Sequence, residues 1–203
     1  MNFGLLRVLN DDVVSGGQGF GKHPHENMEI ISIPLSGDLK HEDSMGNKTV
    51  IREGEIQVMS AGTGIFHSEY NANKEQAVEF LQIWIFPRSQ DIPPRYDQTE
   101  LNDLHLANKL HQVLSPNPSD QGVWIHQDAW FHIGTFNEGI ETVYPIKKEG
   151  NGIYAFVLEG SFDINGQRLE KRDALGIWET LELSIHSQDL NSRLLLIDVP
   201  MAF

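Results

Sequence analysis

The sequence contains no cysteine, and this absence excludes several classes of site at once. Disulfide bonds, thiolate nucleophiles, cysteine-type structural zinc sites and iron–sulfur clusters all require cysteine. A metal ion in this chain would therefore be bound through nitrogen and oxygen atoms. The nine histidines make such a site worth looking for, because histidine is the commonest metal ligand as well as an ordinary surface residue.

Basic residues are scarce, and long apolar runs are absent from the sequence. The 15 lysines and arginines are outnumbered by 29 aspartates and glutamates, and the net charge of −14 would repel a phosphate backbone. We therefore expect no direct binding of DNA or RNA. No segment approaches the roughly 18 apolar residues of a membrane span, and the first residues lack a basic-then-apolar signal pattern. The expectation is a cytoplasmic protein without a membrane segment.

The residue pattern is typical of an all-β protein. Runs of β-branched and aromatic residues end repeatedly at Gly, Asp, Asn or Pro, as in a barrel or a sandwich. The strands predicted in the first half are Met28–Leu35, Thr49–Ile51, Ile56–Ser60 and Phe80–Phe86. One helix is predicted over Leu101–Val113, where apolar residues stand at positions 101, 104, 106, 110 and 113.

An internal repeat indicates two domains within the 203 residues. A strand, a glycine turn and a second strand occur around Gly37 and again around Gly160. Further along the repeat, Gly46 corresponds to Gly166. The offsets drift between 119 and 123 residues, as turns of unequal length would produce. We predict a metal-binding barrel over residues 1–100 and a second barrel over residues 101–203. The second barrel is expected to bind no metal, because Gln188 stands where the first has Glu69.

Two short segments carry the candidate metal ligands. Side chains alternate along a strand, so His23 and His25 lie on one face, together with positions 27 and 29 if the strand continues. The same alternation places His67 and Glu69 together. Three imidazoles and a carboxylate suit a divalent Fe, Mn, Co, Ni, Cu or Zn ion. The other histidines are interpreted as ordinary ones: His41, His105, His111, His126, His132 and His186.

Two further features have alternative interpretations. The segment Ser60-Ala61-Gly62-Thr63-Gly64 resembles a phosphate-binding loop, but no lysine and no helix start follow it, which favours a turn with positive φ. A group of aromatic residues belongs either to the core or to the mouth of a substrate pocket. This group comprises Phe20, Phe66, Tyr70, Trp84 and Phe86.

The motifs resemble those of a known family. Gly19-x3-His23-x-His25-x3-Glu29-x7-Gly37 and Gly54-x7-Gly62-x4-His67-x3-Asn71 are similar to the two cupin motifs. Further segments resemble pirins, a family within the cupin superfamily, and several of them match in order through the first half. They are Leu6-Arg7-Val8-Leu9-Asn10-Asp11-Asp12, His23-Pro24-His25, Asp43-Ser44-Met45-Gly46-Asn47 and Ser60-Ala61-Gly62-Thr63-Gly64-Ile65-x-His67-Ser68-Glu69.

The resemblance implies a fold and a site. Pirins are bicupins, with two tandem double-stranded β-helix (jelly-roll-like) barrels, of which the N-terminal one holds a metal. The ligands implied are His23, His25, His67 and Glu69, and Glu29 is a reserve candidate because many other cupins use that position. Pirins usually carry another strand-rich segment before Leu6-Arg7. We therefore expect either a longer natural chain or a barrel closed with fewer strands.

The resemblance also implies an activity. Bacterial pirin-like proteins include flavonol-cleaving quercetin 2,3-dioxygenases, so the leading hypothesis is a metal-dependent dioxygenase acting on a flavonol such as quercetin and on dioxygen. One divalent metal per chain is expected, with Fe(II) as the leading ion and Cu, Mn, Ni, Co or Zn as alternatives. Glu69 would also be catalytic, as the general base that accepts the proton of a substrate hydroxyl.

Two other functions compete with this hypothesis. The mammalian pirin is regarded as an iron-dependent transcription cofactor, which makes a non-catalytic metal- or redox-sensing module with a protein partner the main alternative. The other is an isomerase or hydrolase in which the metal is a Lewis acid and oxygen is not consumed.

Overall fold

The structure is a computed structural model and describes residues 2–102, 104 and 107–202. Regular structure in these residues consists of β-strands, and all the described strand pairs are antiparallel. Within the described ranges no helix is long and apolar enough to cross a membrane. The predicted all-β class is confirmed.

The chain divides into two compact units. The first contains Leu6–Leu101 and Asn117–Gln127, and the second contains Phe3–Leu5, Asn102–Pro116 and Asp128–Phe203. The assignment of the two barrels to residues 1–100 and 101–203 remains a proposal.

The first unit contains two sheets that position the candidate ligands. Its strands are β1 (Leu6–Val14), β2 (Gly19–His25), β3 (Glu29–Ser36), β4 (Leu39–Asp43), β5 (Lys48–Ile51), β6 (Glu55–Ser60), β7 (Ile65–Asn71), β8 (Val78–Ile85), β9 (Arg95–Glu100) and β11 (Val123–Trp124). One sheet has the order β1-β8-β3-β6-β9, and the other has the order β2-β7-β4-β5. The exposed strand β2 therefore lies at an edge, beside the alternately buried strand β7.

The second unit has the same two-sheet composition. Its strands are β10 (Lys109–Ser115), β12 (Trp130–Phe136), β13 (Glu141–Pro145), β14 (Asn151–Glu159), β15 (Phe162–Ile164), β16 (Gln167–Leu169), β17 (Ala174–Ile177), β18 (Glu182–Ser187) and β19 (Ser192–Pro200). The strands β10-β12-β19-β14-β17 form one sheet, and β13-β18-β15-β16 form the other. The apolar core of this unit includes Phe136, Phe162 and Leu194.

The glycine turns of the internal repeat have matching backbone conformations. Gly37 and Gly160 have φ of 76° and 68°, and Gly46 and Gly166 have φ of 97° and 80°. Only glycine adopts such angles without a steric cost, which explains why the repeat is most visible at these positions.

The predicted helix over Leu101–Val113 is wrong. Residues 109–113 belong to strand β10, in which Lys109 is opposite Thr135 and His111 is opposite Ile133. Pairing with β12 satisfies the backbone groups, whereas an isolated helix of this length is marginal. Residues 101, 102, 104, 107 and 108 are not helical either. Positions 103, 105 and 106 of the prediction, which include His105, lie outside the described residues.

Candidate metal centre

Three of the predicted ligands come together across the pairing of β2 and β7. His23 is opposite His67 in this pair, and His25 lies two residues further along β2, on the same face. The Nε2 atoms of His23 and His67 are 2.9 Å apart, and the His25 ring centre is 4.9 Å from that of His67. One nitrogen from each of the three imidazoles lies within 4.8 Å of the other two. The geometry therefore offers a convergent set of three nitrogen ligands.

The protonation state of these rings favours the binding of a cation. Burial lowers the pKa of His67 to about 3 and, helped by the charge of His23, lowers the pKa of His25 to about 4. Both rings are consequently neutral near pH 7, so that each has one ring nitrogen without a proton. The buried atoms His25 Nε2 and His67 Nδ1 have no hydrogen-bond partner among the described residues. Unpaired buried polar atoms destabilise a fold, and coordination at His25 Nε2 would satisfy one of them.

Glu69 is held in the interior by two hydrogen-bond donors. Its side chain is buried, Ser32 Oγ donates to Oε1 over 3.1 Å, and Gln82 Nε2 donates to Oε2. Trp84 Nε1 in turn donates to Gln82 Oε1 over 3.1 Å, which fixes the orientation of the amide. Burial raises the pKa of Glu69, although both donors oppose the shift.

The structure groups Glu69 with His67 and His41, and the ligand atoms of these three residues lie within 4.8 Å of one another. The sequence alone predicts His41 to be an ordinary histidine. It lies on β4, opposite Glu69 of β7, and its side chain is fully buried. Only the pairing of β4 with β7 brings it here, and no local pattern in the sequence reveals that pairing.

The expectation that positions 27 and 29 share a face with His23 and His25 is wrong. Strand β2 ends at His25, and Asn27 has a left-handed φ of 48°, which breaks the alternation. Glu29 begins β3 and is engaged elsewhere: Ser60 Oγ donates to its Oε2 over 2.7 Å, and His126 Nδ1 lies 3.2 Å from its Oε1.

A cavity of about 640 Å³ borders the three imidazoles at His25. Its lining consists of Pro24, His25, Glu26, Thr63, Gly64, Ile65 and Phe66. Of the five aromatic residues considered for the pocket mouth, Phe66 forms part of this lining and is 49% exposed. Trp84 packs edge-on against the His25 ring, 5.0 Å between centres. Gly64 lines the cavity and belongs to the predicted turn, in which φ is 49° at Gly62 and 131° at Gly64.

Comparison with known families decides the relationship of the chain. Residues 2–85 match the family model described as pirin, and residues 112–199 match the model described as the quercetinase C-terminal cupin domain. The quercetin 2,3-dioxygenase of Escherichia coli K12 is 42% identical over 200 residues, which cover 98% of this chain and 84% of that protein. The chain belongs to the pirin family.

Another relative in sequence and a solved structure agree with this assignment. A pirin-like protein of Caulobacter vibrioides is 36% identical and covers 98% of this chain and 84% of its own length. The crystal structure of the bacterial pirin YhhW from Escherichia coli in complex with nickel(II) superposes with a TM-score of 0.92. It is 40% identical and covers 98% of this chain and 84% of that one. These matches confirm the two tandem cupin barrels, and the nickel complex, together with the ligands grouped here, supports a divalent metal in this member of the family.

The histidines of the second unit have other surroundings. His132 is buried with its ring centre 4.9 Å from that of Tyr144, and burial lowers the pKa of His132 to about 3. His186 Nδ1 lies 3.1 Å from the side-chain nitrogen of Gln188, and His111 is buried. That the second barrel binds no metal stays a prediction.

Proposed function

We propose that this pirin binds one divalent transition metal, Fe(II) by preference, through His23, His25, His67 and Glu69. The observation that carries the proposal is the convergence of three imidazoles at the edge of a cavity, two of them with buried nitrogens that have no partner in the part of the chain that the structure describes. A dispersed set of surface histidines would show neither feature. The chemistry we propose for the site is oxidative cleavage of a flavonol such as quercetin, with dioxygen as co-substrate.

The cavity supports a small aromatic substrate. Its volume of about 640 Å³ is in the range usual for small-molecule sites, and Pro24, Ile65 and Phe66 give it apolar walls. Phe66 presents a ring against which a planar molecule can stack, and Lys22 Nζ lies 5.4 Å from that ring. The substrate itself is proposed from the name of the Escherichia coli relative.

A bound metal ion would supply a Lewis acid that lowers the pKa of a coordinated hydroxyl, together with a redox centre for dioxygen. The role of the three histidines is to hold that ion without a net charge of their own. Because burial keeps the pKa values of His25 and His67 low, no proton competes with the ion at neutral pH.

Glu69 is the residue we propose as the general base. Its burial raises its pKa, which favours acceptance of a proton from a substrate hydroxyl. Ser32 and Gln82 each donate to one carboxylate oxygen and so hold the group in one orientation before and after the transfer. The buried surroundings exclude water that would otherwise compete for the proton.

The test is elemental analysis of wild-type protein and of a His67→Ala variant, followed by oxygen-electrode assays with quercetin and the metal that is found. We expect about one metal per wild-type chain, loss of the metal in His67→Ala, and oxygen uptake by the wild type alone. His132→Ala removes a buried histidine from the second unit and serves as the control.

Other outcomes separate the alternatives. Metal binding without oxygen uptake would refute the dioxygenase and favour the metal-sensing module, or an isomerase or hydrolase if turnover continues anaerobically. Absence of metal from the wild type, even after loading, would refute the site. A protein partner and a cytoplasmic location stay predictions.

A further inference from the structure

The first unit contains two overlapping ligand sets. We call His23, His25 and His67 the outer set, and His41, His67 and Glu69 the inner set. Both sets bring one ligand atom per residue within 4.8 Å, and they share His67. The inner set includes a residue, His41, to which neither the sequence motifs nor the proposed function gives any role.

The inner set has the composition of a metal site in its own right. Two imidazoles and one carboxylate form the ligand set typical of non-haem Fe(II) sites with open coordination positions. All three side chains are almost entirely enclosed, with exposures of 0% for His41 and 1% each for His67 and Glu69. Buried polar atoms need compensation, and two atoms of this set, His41 Nδ1 and His67 Nδ1, have no hydrogen-bond partner among the described residues.

His41 is oriented as a ligating histidine usually is. Its Nε2 lies 3.0 Å from Asp43 Oδ2, while its buried Nδ1 has no hydrogen-bond partner among the described residues. A metal-bound imidazole commonly donates its other ring nitrogen to a carboxylate in this way, which fixes the tautomer. With the proton on Nε2, the lone pair of Nδ1 is free.

Asp43 is itself fixed by its neighbours. The backbone nitrogens of Met45 and Asn47 donate to Oδ1 over 2.9 and 3.1 Å, and Asn47 Nδ2 donates to Oδ2 over 2.8 Å. On its other side the His41 ring packs 5.0 Å from the ring centre of Tyr96. The imidazole is therefore held on two sides, and its unpaired nitrogen remains for a ligand.

We propose that the inner set is a second position for the divalent ion and that His41 is a metal ligand there. The proposal rests on the metal site of the proposed function and extends it from one position to two, which share His67 and Glu69. Glu69 would then be a ligand that the two positions have in common, together with His67.

The experiment uses Co(II), whose visible absorption reports its ligands and whose affinity is measured by competition with a chelator. The full-length wild type is compared with His25→Ala, which breaks the outer set alone, and with His25→Ala/His41→Ala, which breaks both. His25→Ala/His132→Ala is the matched control, because His132 is a buried histidine of the second unit that also has an unpaired Nδ1.

Loss of an outer partner of a metal ligand typically costs about 10- to 100-fold in affinity, and loss of a ligand itself should cost no less. We expect His25→Ala still to bind one Co(II) per chain, with an altered visible spectrum and an affinity at least about tenfold below that of the wild type. Adding His41→Ala should weaken the remaining binding at least about tenfold further, and adding His132→Ala should not. Circular dichroism and thermal unfolding check the fold. If His41→Ala disturbs either, His41→Gln, which retains more of the side-chain volume, replaces it.

The failures are distinguishable. If the wild type binds no Co(II), the proposed metal site falls and the inference falls with it. If the wild type binds Co(II) but His25→Ala abolishes binding, the inner position is refuted and the outer site stands. Equal affinities for His25→Ala and the double variant with His41→Ala would also refute the role of His41.

Discussion

Replacing Gln82 by leucine tests the hydrogen-bonded support of Glu69. Gln82 donates to Glu69 Oε2 and accepts a hydrogen bond from Trp84 Nε1, so the substitution removes one donor from the carboxylate and leaves the indole N–H unpaired. The volume of the side chain is nearly kept, and the main change is therefore electrostatic.

The magnitude follows from the charge on Glu69. A hydrogen bond to a charged group contributes about 1.5–3 kcal/mol, which corresponds to roughly a 10- to 100-fold change in an equilibrium constant. Burial already raises the pKa of Glu69 and the Gln82 donor lowers it, so the pKa should rise further in Gln82→Leu. Loss of an outer partner of a metal ligand typically lowers the metal affinity about 10- to 100-fold, and we expect a loss of that size in Gln82→Leu. The loss should grow as the pH falls, because a carboxylate must lose its proton to bind a metal.

The assay is Ni(II) binding in competition with a chelator between pH 5.5 and 8.5. The affinity of the wild type should be lost as the pH falls, and in Gln82→Leu that loss should occur at a higher pH. Gln127→Leu is the control, since the Gln127 amide donates to the Phe86 carbonyl over 2.8 Å rather than to Glu69. Superimposable curves for wild type and Gln82→Leu would refute the view that Gln82 sets the protonation of Glu69.

Two further predictions concern stability. Burial lowers the pKa of His132 from 6.5 to about 3, so below pH 6.5 the unfolded chain binds a proton that the folded chain does not, and stability is lost as the pH falls. Between pH 7 and 5.5 this residue should lower the free energy of unfolding by about 1 kcal/mol. Urea titrations of the apoprotein should therefore show a free energy of unfolding that depends less steeply on pH in His132→Asn than in the wild type. Equal slopes for the two proteins would contradict the prediction. Gly62→Ala should lower stability by roughly 2 kcal/mol or more in thermal unfolding, because its Cβ would lie 1.9 Å from the Ile92 carbonyl oxygen at a φ of 49°. Gly54→Ala, with a φ of 84° and nothing within 4 Å, should cost less, and equal losses would show that crowding is not the cause.

Local patterns predicted the parts of the fold that depend on near neighbours. The strand predicted over Met28–Leu35 is β3, shifted by one residue, and the alternation that places His67 with Glu69 is the burial pattern of β7. The turns that contain glycine could also be predicted from the sequence, because a left-handed φ restricts the residue type.

Features that depend on distant pairings were missed. His41 reaches Glu69 only because β4 pairs with β7, and residues 109–113 are extended because β12 lies beside them. Tertiary pairing of this kind overrides an apolar spacing that also fits a helix. The wrong prediction that Glu29 shares a face with His23 and His25 has a local cause. Asparagine tolerates a left-handed φ, and Asn27 adopts one between these residues and so ends the alternation.

The edge position of β2 has a consequence for how fast an ion could enter and leave. Two of the proposed ligands lie on this exposed strand, whose ladder with β7 is irregular between Phe20 and His23 and whose Pro24 has no N–H to donate. Such a strand frays more readily than the buried β7, which carries the other two. An ion bound to both strands would link β2 to β7 at this edge. The lifetime of the metal complex would then be set by the rate at which β2 separates from β7.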